Sequence, residues 1–334
     1  MTSKPTVDQH AETDADDTTP HPLPRRISQL TWHTWRGILR RTVIGYLEHE
    51  CLDYAAAMTY KSVTALIPSL IVIVSMINLV TDGTAVLNAV IDILRHLGLG
   101  SVVANKTLLG VVETLLVQQS SAKVLLGSGL VLALSSASGY VGTLTHASNR
   151  IYGVREGRPW WKLALQQWAL AAVALTLLAT DGIALVISGP LIDAVADAMH
   201  ATQTVRRLWS IGRWPVLVVI AVALLSLLFW VAPNVRQPRL RWLTVGGAVA
   251  LLVWAVSSSL FGLYVANFGS YNRTYGSLGA IIAFLVWTYL SNIALLLGVE
   301  VNAEVQRGRL LQAGDQDPRA PLAPRVPARD EDIP

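Results

Sequence analysis

Apolar positions come in blocks of about 20 residues, the length a helix needs to cross a hydrocarbon core of roughly 30 Å at 1.5 Å per residue. Such blocks fall at about 54–80, 124–147, 164–189, 215–232, 243–268 and 277–299, and each predicts a transmembrane helix. Strands of a membrane barrel would instead alternate polar and apolar residues over short stretches. The expected fold is therefore all-α: a polytopic membrane protein with six transmembrane helices, accompanied by amphipathic juxtamembrane and extracytoplasmic helices.

The polar intervals divide the rest. Residues 1–24 carry Asp8, Glu12, Asp14, Asp16 and Asp17 among Thr and Pro, too little apolar surface to offset the entropy of ordering, and read as a disordered cytoplasmic tail. In 25–53, Leu30, Trp32, Trp35, Ile38, Leu39, Val43 and Leu47 share a broad helical face with Arg36, Arg40 and Arg41 set among them. That pattern predicts an amphipathic juxtamembrane helix, lying on the lipid interface or packed against its own protein. Residues 54–307 form the six-helix transmembrane domain, and 308–334, with Pro318, Pro321, Pro324 and Pro327, read as a disordered Pro-rich cytoplasmic tail. Amphipathic pieces at 86–97 and 108–117, and a shorter stretch at 191–214, are too polar to span and are expected on the extracytoplasmic side. No internal sequence repeat supports an inverted-repeat transporter.

Within the spans, Pro68 lacks an amide N–H and marks a kink in the first helix. Ser135, Gly139 and Thr143 recur every four residues in the second, with Ser138 and Gly142 on the adjacent row, and Ser258, Gly262 and Ala266 repeat the device in the fifth. Small residues in such rows let membrane helices approach closely.

Composition agrees: 52% hydrophobic and 14% charged residues exclude an ordinary soluble domain. A net charge of +4 invites a nucleic-acid reading, but Lys and Arg lie at block edges and form no stripe, so no nucleic-acid partner is expected. Six spans put 18 Lys and Arg on the side of the N-terminus and 7 on the other, with Lys61 inside a helix. The positive-inside rule then places both termini in the cytoplasm of a multi-pass plasma (inner) membrane protein. Residues 1–24 do not read as a signal peptide, so the first span would serve as the insertion signal. Cys51 is the only cysteine, which leaves no intrachain disulfide and no cysteine-based metal cluster.

Ionisable groups inside apolar helices are functional candidates by default. Lys61 lies about seven residues into the first span, roughly 10 Å deep, where it either snorkels or contacts a substrate. Asp181 lies about 17 residues into the third span, roughly 25 Å deep, facing the outer half. Asn292 and Glu300, near the cytoplasmic end of the sixth span, are the expected partners of Lys61. The seven His are dispersed, and neither a phosphate-cradling loop nor a nucleophile elbow is present. No cofactor, metal site or catalytic residue is expected, and the chain is read as not an enzyme.

Four separated stretches carry a family resemblance: AAAMTYKSVTALIPSL (55–70), SNRIYGVREGRPWWK (148–162), WVAPNVRQPRLRW (230–242), and GSYNRTYGSLGA (269–280) followed by GVEVNAEV (298–305). Together, in this order, they resemble the YihY/BrkB family of bacterial inner-membrane proteins, with matches from about Cys51 to Arg307. Lys61 departs from the commoner Tyr-Tyr of the family's first helix. The resemblance implies six spans with cytoplasmic termini. It also brings older labels, a ribonuclease (ribonuclease BN) and a virulence factor, and a later suggestion of lipid transport. RNA hydrolysis needs a metal cage or a His acid/base pair presented to water, and no such set is visible here.

In the 269–280 stretch, Asn272, Arg273 and Thr274 form a polar turn at headgroup level, with Gly276 and Gly279 permitting close backbone approach. It reads either as a tight hairpin or as a point where Arg273 meets a lipid phosphate. The expected function is a transporter or flippase-like protein for an amphipathic or lipid substrate, with Lys61, Asp181, Arg273, Asn292 and Glu300 along its pathway. The alternative is a non-transporting scaffold or envelope-integrity factor. Membrane lipids are the expected partners, with a homo-oligomer left open.

Overall fold

The computed structural model of the chain describes residues 24, 27–80, 119–186, 203–237, 240–267, 277–314, 317 and 321–328. Among these residues the fold is all-helical. A short helix, α1 (Trp32–Glu48), precedes six long ones: α2 (Cys51–Val80), α3 (Gln119–Tyr152), α4 (Trp160–Val186), α5 (Gln203–Val231), α6 (Leu240–Asn267) and α7 (Ser277–Gln312). At 27 residues the shortest of the six, α4, is about 40 Å long.

Four stretches among the described residues are long and apolar enough to cross a membrane: Trp160–Leu178, Trp214–Val231, Val245–Ala266 and Ile281–Gln312. Leu165, Val219, Leu252, Leu260 and Ile281 are exposed on their outer faces. A soluble protein would hide such surface, whereas a bilayer solvates it.

The long helices close into a ring, α2–α3–α4–α5–α6–α7 and back to α2, with α7 also touching α3 across it and α1 lying outside on α7 and α2. The core gathers at the end of the ring where α1 sits: Ala55 and Met58 of α2, Leu144 and Ile151 of α3, Phe229 of α5, and Leu296 and Val299 of α7 are all nearly inaccessible.

α1 begins at Thr31, whose hydroxyl accepts the Thr34 N–H at 3.3 Å as an N-cap. Gln312 at the far end of α7 accepts from Thr31 N–H and the Thr34 hydroxyl, and donates to the Gln29 carbonyl. Ile38 packs over Gly308, where an added Cβ would sit 2.9 Å from its side chain. α1 ends at His49, and Glu50 turns the chain into α2 with a left-handed φ of 57°. Arg150 of α3 pairs with Glu50 at 3.0 Å.

Two sequence expectations change. Residues 203–214, expected as part of a separate extracytoplasmic piece, are the first turns of α5, which continues through Pro215; Arg206, Arg207 and Arg213 dilute the apolar signal without interrupting the helix. The 308–334 tail is not wholly disordered. α7 runs to Gln312, and residues 321–328 lie as an extended strap in which Val235 bridges Pro324 and Leu322 is buried. Three amides of the strap, Leu322, Arg325 and Val326, find acceptors in Tyr152 and Asn234, so its prolines remove only donors that the docking does not use. α2 is continuous through Pro68. The 86–97 and 108–117 pieces and residues 1–23 lie outside the described residues.

Candidate functional site

Polar side chains form two tiers along α7, the first between helices of the ring and the second where α1 packs on α7. In the first, Asn292 is 3% exposed and joins three helices: its amide donates to Thr59 Oγ1 of α2 at 3.0 Å, and its carbonyl accepts from the Tyr140 hydroxyl of α3 at 2.9 Å. Thr59 in turn donates to the Ala55 carbonyl, so this triad is internally satisfied. Half a turn from Thr59, the stem of Lys61 passes over Gly139, with Nζ 3.9 Å from where a Cβ would stand. An alanine at position 139 would meet the lysine at ordinary van der Waals distance.

Eight residues further, about 12 Å along the helix, Glu300 and Glu304 share a face of α7 with Arg307. Glu304 accepts from Arg41 Nε and from Arg307 Nη1, each at 2.6 Å, while Arg307 Nη2 donates to the Ile151 carbonyl. Glu300 is fully buried, and its Oε2 lies 3.0 Å from His49 Nδ1. Its Oε1 has no hydrogen-bond partner and rests against Gly45, where a Cβ would overlap it. Glycine at 45 thus lets the α1 backbone lie directly on the carboxylate. The Tyr46 hydroxyl donates to the Ile293 carbonyl and ties the two tiers together.

A third knot closes the same end. Arg158 binds Glu156 through two parallel bonds of 2.7 Å, a bidentate pair, and also reaches Gln166 and the Ala232 carbonyl. Asn149 donates to Glu156 and accepts the Asn234 N–H, and the Asn234 amide grips Val326 of the strap. Burial pushes the Glu156 carboxyl up, but the hydrogen bonds and charge of Arg158 outweigh it and hold the group below the usual carboxylate range. The stretches 148–162 and 230–242 therefore meet at one place.

A family model described as "Virulence factor BrkB" matches residues 42–323. The chain belongs to the BrkB family. It is 30% identical over 285 residues to the ribonuclease-like protein YfkH of Bacillus subtilis, covering 84% of this chain and 99% of YfkH. It is 26% identical over 293 residues to the UPF0761 membrane protein AZOSEA40600 of Aromatoleum aromaticum, covering 83% of this chain and 67% of that one. A UPF0761 membrane protein of Azotobacter vinelandii is 29% identical over 275 residues; the match covers 82% of this chain but 64% of that longer relative. No solved structure matches the chain.

Within this BrkB-family fold, Asn292 and Glu300 are not the partners of Lys61, contrary to expectation: the triad takes Asn292 and His49 takes Glu300. Gly139 faces Lys61, and Gly142 faces Gln167 of α4 at about 3.4 Å. In the α6 row, Ser258 accepts a hydrogen bond from Trp287 of α7 at 3.1 Å, whereas an added Cβ at Gly262 meets no described atom within 4 Å. Gly279 lies in the first turn of α7. Arg273 and Gly276, and the side chain of Asp181, lie outside the described residues.

Sequence reading missed His49, Arg41, Glu304, Arg307, Thr59 and Tyr140. Glu300, Glu304 and Arg307 follow one another at helical spacing, a signal that was present in the chain. His49 gave no such sign, because a left-handed residue sets its direction.

Proposed function

We propose that this chain is a six-span plasma-membrane protein, with both termini cytoplasmic, that moves an amphipathic or lipid substrate through its helix ring. One observation carries the reading: a polar track, Lys61 beside the Thr59–Asn292–Tyr140 triad and the charged tier beyond it, runs inside helices whose outer faces are apolar. Polar and ionisable groups in such positions are costly and mark substrate or ion pathways. α2 and α3 complete the six spans in this reading, and the charge count of 18 against 7 supports the orientation. Arg273 and Asp181 are the contacts assigned to the outer half, and membrane lipids are the partners. The chain acts without being an enzyme; the ribonuclease-like name belongs to YfkH.

Native mass spectrometry on gently solubilised protein tests this. A lipid should travel with the wild type and be lost from Lys61→Met and Asn292→Leu while both remain folded. Annular lipid indifferent to both substitutions would favour the scaffold reading, which the closed knot of Arg158, Asn234 and the docked strap supports.

A further inference from the structure

His49 brings an imidazole, a ring able to accept or donate a proton, into the charged tier. Beside it, Arg41 and Arg307 both pair with Glu304, and Arg307 also lies within electrostatic reach of Glu300. Glu300, within the Ile281–Gln312 stretch, is wholly out of water, with one oxygen on His49 and the other unpartnered. A buried carboxylate with an unpartnered oxygen is held at a cost that a single proton removes.

The pair can hold that proton as imidazolium beside carboxylate or as imidazole beside carboxylic acid. A second proton gives imidazolium beside acid, so the titration belongs to the pair and not to either residue. The His49 side chain is 22% exposed, which opens a route for protons from water.

We infer that the His49–Glu300 pair is a proton-binding site that couples substrate movement through the ring to a proton gradient. His49 caps α1 at its elbow with α2, and Glu300 rides on the helix that also holds Asn292. A proton arriving at the pair therefore acts on the contact between that elbow and the helix bearing the polar track. Other groups do not compete near neutrality. Tyr46, Cys51 and Tyr152 lie within electrostatic reach of Glu300 but lose their protons only in alkali, and Arg150 is paired with Glu50.

The coupling role rests on the transport reading, whereas the proton site stands on the pair itself, and two measurements separate them. pH-difference infrared spectra of the full chain in lipid nanodiscs, between about pH 5 and 9, should show a carboxylic-acid carbonyl band that grows on acidification. Glu300→Gln should abolish it. In His49→Leu it should grow at a proton concentration on the order of tenfold lower, because no imidazolium holds the carboxylate charged. Absence of a Glu300 band in wild type, or a band indifferent to His49→Leu, overturns the site; if Glu300→Gln fails to fold, the His49→Leu shift decides.

The second measurement follows fluorescent phosphatidylethanolamine in proteoliposomes under an imposed pH gradient. The rate should change several-fold in wild type and not in Glu300→Gln. Movement indifferent to the gradient overturns the coupling and leaves transport standing. No movement in any protein overturns transport and coupling together, while the infrared band still decides the proton site.

Discussion

Replacing Gly246 by alanine sets two physical effects against each other. Helix propensity favours alanine by about 1 kcal/mol. Packing opposes it, since a Cβ there would overlap the Gly298 carbonyl oxygen and lie 2.5 Å from the Asn302 side chain, which accepts the Gly246 N–H at 2.9 Å. Neither obstacle yields easily: one is backbone, and the other is a buried amide whose hydrogen bond the displacement would break. Over-packing of about 1–3 kcal/mol and a lost bond of about 0.5–1.5 kcal/mol, less the propensity gain, give a net loss near 2 kcal/mol. Denaturant titration in mixed micelles reads it. Gly262→Ala is the matched control: it lies on the same helix with no atom within 4 Å, and should be neutral or slightly stabilising. A Gly246→Ala protein as stable as wild type, or equal damage from both variants, would refute the close α6–α7 crossing.

Other outcomes follow from the charged end. Glu304→Ala leaves Arg41 and Arg307 without their shared carboxylate and should cost about 3–5 kcal/mol in the same titration; a loss under about 1 kcal/mol would mean the arginines find other partners. Glu156 is held below its ordinary value of 4.5, so its contribution is complete above that value and is lost as pH falls through the lower folded value. Thermal melts of Glu156→Gln should therefore lack part of the acid-side decline, and a profile parallel to wild type would count against the Arg158 pair. Cys51 is fully buried at the start of α2, so maleimide should label it only after unfolding. Rapid labelling of the native protein would place α1 elsewhere.

Block lengths in the sequence locate all six long helices, because a stretch of about 20 apolar residues has few stable fates outside a bilayer. Their ends are harder to read. α5 begins in a basic stretch and α7 extends 13 residues beyond the last apolar block, since tertiary contacts with α1 and the strap carry the helix past its apolar window. The strap itself hides in a Pro-rich composition, where docking depends on one buried leucine and three amides that composition does not weigh. Of the site, Lys61, Asn292 and Glu300 stand out as polar interruptions of apolar helices, but their partners do not. Pairing of Glu300 with His49 is set by the left-handed turn at Glu50, and the Asn292 triad is set by how α2, α3 and α7 meet.

Lipid translocation in reconstituted vesicles tests the transport reading most directly. Vesicles carrying fluorescent phospholipid in both leaflets are treated with an impermeant quencher, and the fraction that becomes accessible is followed over time. Wild-type protein should expose inner-leaflet lipid, and a folded Lys61→Met/Asn292→Leu double variant should not. Wild-type vesicles that match protein-free ones, or a double variant that moves lipid at the wild-type rate, would contradict a substrate pathway along this polar track.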